Sequence, residues 1–258
     1  TFSVPDCDVN VNWSKTTTYS IDADGNPVPV ASSKVFMDGN GHVLQTQSKS
    51  YVTNQVFASQ SVKDRYGNPV LNTLAAPINQ SHFQYKNNFI TNPNGQPYNA
   101  NDFDRQTPGV PGSINNPRPV TNDGAGTVGW YYSTANTLEP LTPTTEYPYS
   151  RSYVIEEPHN TYSKTAIPGD AYKMGSGHEI KTEEMDIEPG VLNHYYTLRN
   201  YFISLPNNLS VPDKTGYKFI STDSDGHKTA SFVNADGFTL ASAIVTGIDS
   251  RGRFSYDH

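Results

Sequence analysis

The sequence predicts an all-β chain of irregular antiparallel β-hairpin repeats, and three observations carry that expectation. The motif Asx-x-x-Gly recurs between runs rich in β-branched and aromatic residues, such as Ser33–Met37 and Val43–Gln47. Tyrosine leads the aromatics, with 17 copies against 11 phenylalanines and 2 tryptophans, and it suits half-buried sheet faces where the ring packs and the hydroxyl reaches a polar partner. No segment of about 12 or more residues shows an amphipathic 3.6 period with caps at both ends.

The turns define the order of elements. Asp22–Gly25, Asp38–Gly41, Asp64–Gly67 and Asn92–Gly95 punctuate residues 1–100, and Asp223–Gly226, Asn234–Gly237 and Asp249–Gly252 punctuate residues 206–258. Asp or Asn at the first position of a type I turn accepts hydrogen bonds from the backbone ahead of it, and Gly three residues on takes a positive φ. That pairing closes a hairpin with a bulge and keeps the strand twist. The first four glycines are 16, 26 and 28 residues apart and the last three 11 and 15 apart, which speaks for a meandering sheet rather than a strict solenoid.

Between the two sets of turns, residues 101–128 read as a Pro/Gly-rich linker or a loop crossing the sheet surface. Residues 129–205 resume β character, at Gly129–Tyr132, across Tyr147–Lys181 and over His194–Leu205. Ala241–Ile248 reads as a strand, Asp249–Gly252 as its turn and Arg253–His258 as the start of a return strand. An open edge there leads us to expect a longer polypeptide or an associated chain as partner. A start at Thr1 with neither Met nor a signal peptide suggests a processed or trimmed product.

Composition narrows the function. The net charge of −7 argues against nucleic acid and anionic membranes, and no apolar run approaches the ~20 residues of a membrane span. A hydrophobic fraction of 34% and a mean hydropathy of −0.62 speak against a thick layered core. Cys7 is the single cysteine, so an internal disulfide framework and a cysteine-based zinc site are excluded.

The motifs that hint at chemistry lack their context. Gly124-Ala125-Gly126-Thr127-Val128-Gly129 matches a dinucleotide-binding pattern, but a Pro-rich loop precedes it and Trp130-Tyr131-Tyr132 follows where a helix should receive the phosphates; it reads as a flexible loop. Asp22-x-Asp24-Gly25 and Asp223-x-Asp225-Gly226 place Gly at the fourth position rather than the sixth of a calcium loop, with Ser33 and Asn234 where the Glu belongs. His178-Glu179 begins like a zincin motif but has Thr182 at the second His position. Glu156-Glu157 and Glu183-Glu184 are candidate carboxylate pairs for glycoside hydrolysis, against the ordinary reading of acidic doublets as solvated surface. Asn12, Asn79 and Asn208 head glycosylation sequons. No catalytic, metal or cofactor site is expected.

Phe36-Met37-Asp38-Gly39-Asn40-Gly41-His42-Val43-Leu44-Gln45-Thr46-Gln47 resembles the YxDGLGRPLQ opening of RHS/YD-repeat proteins, particularly large exported ones of Bacteroidota. Val62–Val70 resembles the companion YDxxGR unit, and Tyr147–Ser150, Glu157-Pro158, Pro168-Gly169, Gly177-His178, Lys181 and Thr182 match, in order, the segment that follows. The departures are His42 and Asn68 where Arg is usual and Tyr172 where Trp is usual. The resemblance covers most of residues 33–185, the region before the family core. It implies an extended, curved β-sheet shell that encloses or displays a C-terminal payload, without catalysis by this segment. It further implies export to the cell surface or beyond, with the rest of its own chain and secretion machinery as partners. The alternative expectation is a glycan- or protein-binding β module that stacks ligands on Trp130, Tyr131, Tyr132, Tyr195 and Tyr196.

Overall fold

The computed structural model describes residues 11–64, 66–107, 109–157, 160–187, 216–234, 236–248 and 254–257. Tyr195, Tyr196, Cys7, Asn208, the Asp249–Gly252 turn and the strand expected over His194–Leu205 lie outside the described residues, as do the side chains of Glu156 and Glu157. Among the described residues the fold is all-β, an open antiparallel sheet of 13 strands in which each strand pairs with its neighbours in sequence; β6 (Ala76–Pro77) stands off the main order. Two compact units divide the chain, residues 1–152 with 166–176 and residues 153–165 with 177–258, and the chain crosses between them twice inside strands and once, at residues 176–177, outside any strand.

In the first unit, β1 (Asn12–Ile21), β2 (Pro27–Met37), β3 (Val43–Ser50), β4 (Gln55–Lys63) and β5 (Pro69–Thr73) follow one another as hairpins. The start of β7 (Tyr149–Glu157) pairs with β5, Tyr149 opposite Thr73. Along β4 the period of two sends Val56, Ala58 and Val62 inward. They meet Leu71 and Tyr149 from the sheet and Ile78, Phe89, Ile90, Tyr98, Phe103 and Val128 from residues 74–148. Each fully buried side chain of this size contributes about 1.5–3 kcal/mol. The covering segment is thus a second layer, built almost wholly of turns, and residues 101–128 belong to it: Asp102, Phe103, Ser113 and Val120 are all buried.

Irregular backbone is buried here because its polar groups are paired. Val128 N–H donates to Phe89 O at 2.9 Å, Thr121 N–H to Thr91 O at 3.0 Å and Ile78 N–H to Val56 O at 2.9 Å. The strand expected at Gly129–Tyr132 is instead a short helical turn, α1 (Val128–Tyr131). Thr127 caps it, Oγ1 accepting from Trp130 N–H at 3.3 Å. Aromatic content misled because α1 gains its stability from burial of Val128 and Tyr131 rather than from propensity. In the glycine stretch Gly126 and Gly129 are packed against backbone, while Gly124 stays open. A Cβ on Gly129 would lie 1.9 Å from Thr121 O, and one on Gly126 2.6 Å from Ile78 O.

The second unit carries β8 (Asn160–Ala166, to Thr165), β9 (Ile180–Asp186), β10 (Gly216–Thr222), β11 (Lys228–Asn234), β12 (Thr239–Ile248) and β13 (Phe254–Asp257), paired in that order. Ile220, Ala230 and Phe232 are fully buried on one face, with Met185, Leu240, Val245 and Tyr256 packed around them. The Tyr256 ring meets Phe232 edge-on at 5.5 Å.

Candidate functional site: repeated Asx turns and a buried polar strap

Six of the Asx-x-x-Gly turns have their Asx and their Gly among the described residues, and they share one geometry. At Asp38, Oδ1 accepts from Asn40 N–H and His42 N–H, both at 2.9 Å, while Gly41 N–H donates to Asp38 O at 3.0 Å with Gly41 at φ +81. Asp22, Asp64, Asn92, Asp223 and Asn234 repeat these contacts, with Gly25, Gly67, Gly95, Gly226 and Gly237 at φ between +70 and +88. Asn92–Gly95 differs in its flanks, closing only a single bridge between Thr91 and Pro97 instead of two strands. The backbone N–H of Asn26 holds the Asp22 carboxyl below its usual range, and that of His42 does the same for Asp38, helped by His42 Nδ1 at 3.0 Å and Lys63 Nζ at 3.3 Å. The carboxylates are committed to shaping turns.

A second polar system fastens the covering layer to the sheet. Gln45 and Gln47, fully buried on one face of β3, read the main chain of alternate residues in the segment above them. Gln45 Nε2 donates to Lys86 O at 2.9 Å and its Oε1 accepts from Lys86 N–H at 3.1 Å. Gln47 makes the same double contact with Gln84, its Oε1 accepting from Gln84 N–H at 3.1 Å. Lys49, next on that face, donates to Ser81 O at 2.6 Å. Nothing in the sequence distinguishes these glutamines from solvent-facing strand residues. On the core face of β7, buried Arg151 donates to Asp104 Oδ1 at 2.7 Å and to Val70 O at 3.3 Å, with its guanidinium 4.4 Å from the Phe103 ring centroid.

The remaining candidates sit apart from one another. Of the residues of the binding-module expectation, Trp130, Tyr131 and Tyr132 lie at the core of the first unit, Tyr131 within it and the other two half-buried against it. Tyr131 is buried, its hydroxyl donating to Glu139 Oε2 at 2.6 Å, and Trp130 and Tyr132 pack against the same cluster. Burial pushes the Tyr132 hydroxyl up to about 12, and that hydroxyl donates to Ala75 O at 3.0 Å. Glu183 and Glu184 are successive residues of β9, so they point to opposite faces and do not converge. His178 lies outside any helix, its Nδ1 2.9 Å from Ser224 O. Asp223, Asp225 and His227 bring potential ligand atoms within 4.8 Å of one another, all three exposed. Asp223 Oδ1 is already taken by two backbone N–H groups and Oδ2 lies 3.2 Å from His227 Nδ1.

Among the described residues no helix is long and apolar enough to cross a membrane. No protein-family model, curated protein or solved structure matches the chain.

Proposed function

We propose that this chain is a structural segment of an exported RHS/YD-repeat-type protein, a piece of β-sheet shell that encloses or displays a payload carried elsewhere in a longer polypeptide. The single observation that supports it most is the repeated turn in a sheet of sequence-ordered strands. One local device, an Asx side chain bonded to its own turn and a Gly at positive φ, closes hairpin after hairpin, and a sheet built so can be lengthened by adding further hairpins. The polar groups described above are engaged in holding turns and layers, which suits a scaffold. In this reading the segment does no catalysis, works at the cell surface or outside the cell, and has the rest of its own chain as principal partner.

The reading frame that encodes the chain tests the proposal. We expect it to run on well past residue 258 through more Asx-x-x-Gly hairpins to a variable C-terminal domain. A frame that ends near residue 258, with the purified protein monodisperse and stable alone, would sink the idea.

A further inference from the structure

Three lysines that are distant in sequence form one transverse row in the second unit. Lys164 lies directly opposite Lys181, Lys181 opposite Thr222, and Thr222 opposite Lys228. Directly opposed residues of an antiparallel sheet share a face, so the three half-buried side chains stand on the same side of β8, β9 and β11, at the margin of the face that buries Ile220, Ala230 and Phe232, with Thr222 buried between them. With strands about 4.8 Å apart, the row spans roughly 14 Å. Like charges placed opposite one another destabilise a sheet, and here no ion pair relieves them. Lys228 Nζ donates to Thr222 Oγ1 at 3.0 Å and Lys164 Nζ lies 5.4 Å from the Tyr162 ring centroid, but among the described residues none of the three lysines has an ion-pair partner. Glu183, two residues along β9 from Lys181, stands in the adjoining row opposite Tyr162 and Ile220.

We propose that this lysine row docks an extended acidic segment of another polypeptide. Carboxylates on one side of an extended strand recur about every 6.7 Å, so two or three of them match the row. Separate ammonium groups suit single carboxylates, whereas phosphate recognition favours the guanidinium fork, which this row lacks. Stacking of bases or sugars has no free ring along the row, since Tyr162 is engaged by Lys164 and Tyr256 by Phe232. The inference stands independently of the shell reading.

Fluorescence anisotropy with a labelled peptide of alternating Asp and Ser, at low salt, tests it on the full chain. We expect saturable binding that is lost with the Asn/Ser counterpart and weakens steeply as salt rises to about 0.2 M. Lys181→Gln alone should weaken binding about two- to fivefold, and the triple change Lys164→Gln, Lys181→Gln, Lys228→Gln about tenfold or more. The triple variant should melt no lower than the parent, because it removes repulsion; if it does not fold, the single variant and the salt series decide. Unchanged affinity in the variants, binding indifferent to salt, or tighter binding of oligothymidylate or polygalacturonate than of the peptide would overturn the proposal.

Discussion

Asp38 shows how a single side chain writes the local structure. Its Oδ1 satisfies two backbone donors ahead of it and its Oδ2 takes His42 and Lys63, so Asp38→Ala removes four contacts while Asp38→Asn keeps the Oδ1 acceptor and loses the charge and the Oδ2 acceptor of Lys63. Thermal melts should therefore rank parent above Asn above Ala. Because the folded carboxyl lies below its ordinary value of 3.8, its contribution is fully present above about pH 4 and is lost as pH falls through the lowered folded value. Melting temperature measured downward from pH 4 should fall less steeply in Asp38→Asn than in the parent. Such turns are legible in a sequence because donor, acceptor and the positive-φ glycine all lie within five residues. Gln45 and Gln47 are illegible for the opposite reason, since their partners Gln84 and Lys86 lie 37 and 41 residues away.

The element that depends most on long-range contacts is the covering segment, residues 74–148. Gln47→Leu should leave the Gln84 N–H and C=O unpaired under the strap and cost about 1–3 kcal/mol; hydrogen exchange should quicken at Gln84 and Lys86 with little change at the β10–β11 hairpin. Equal protection at all these amides would contradict the assigned role of the glutamines. Glycines of two kinds separate here. Gly25, at φ +84 with open space around it, should cost about 1–2 kcal/mol as Ala through backbone strain alone. Gly129→Ala places a methyl 1.9 Å from Thr121 O, so the backbone must move and the cost should exceed the roughly 1–3 kcal/mol of ordinary overpacking. Urea titrations of both variants check the order. That packed glycine also explains why α1 and its surroundings escaped a sequence reading. Asp-x-x-Gly announces a turn, whereas Gly126 and Gly129 sit in sequence that resembles a flexible loop and mark places where backbone passes close to backbone.

For the whole molecule, all-β character was legible from alternation and turns, while the two units and the lysine row arise from which strands become neighbours. The exposed side chains of β1 include Trp13, Tyr19 and Ile21 and one charge, Lys15, and β1 pairs on one side only among the described strands. Near the isoelectric point of about 5.4, net repulsion vanishes and such an edge is a template for association. Turbidity should peak close to that pH, and Thr16→Lys, which adds a charge to β1, should lower the peak; equal turbidity would remove β1 from the account.

The strand order has a consequence for how the chain is made. In the first five strands and again from β10 onward, each strand pairs with the one synthesised just before it across a short turn, so contacts in those runs are short in sequence and fold early. The β5–β7 pairing must wait for residues 74–148, and the β9–β10 pairing for residues 187–215. A chain emerging from a ribosome or a narrow export channel can therefore set its first four hairpins strand by strand, pause in structure while the covering layer accumulates, and resume growing along the same sheet once Tyr149 arrives beside Thr73.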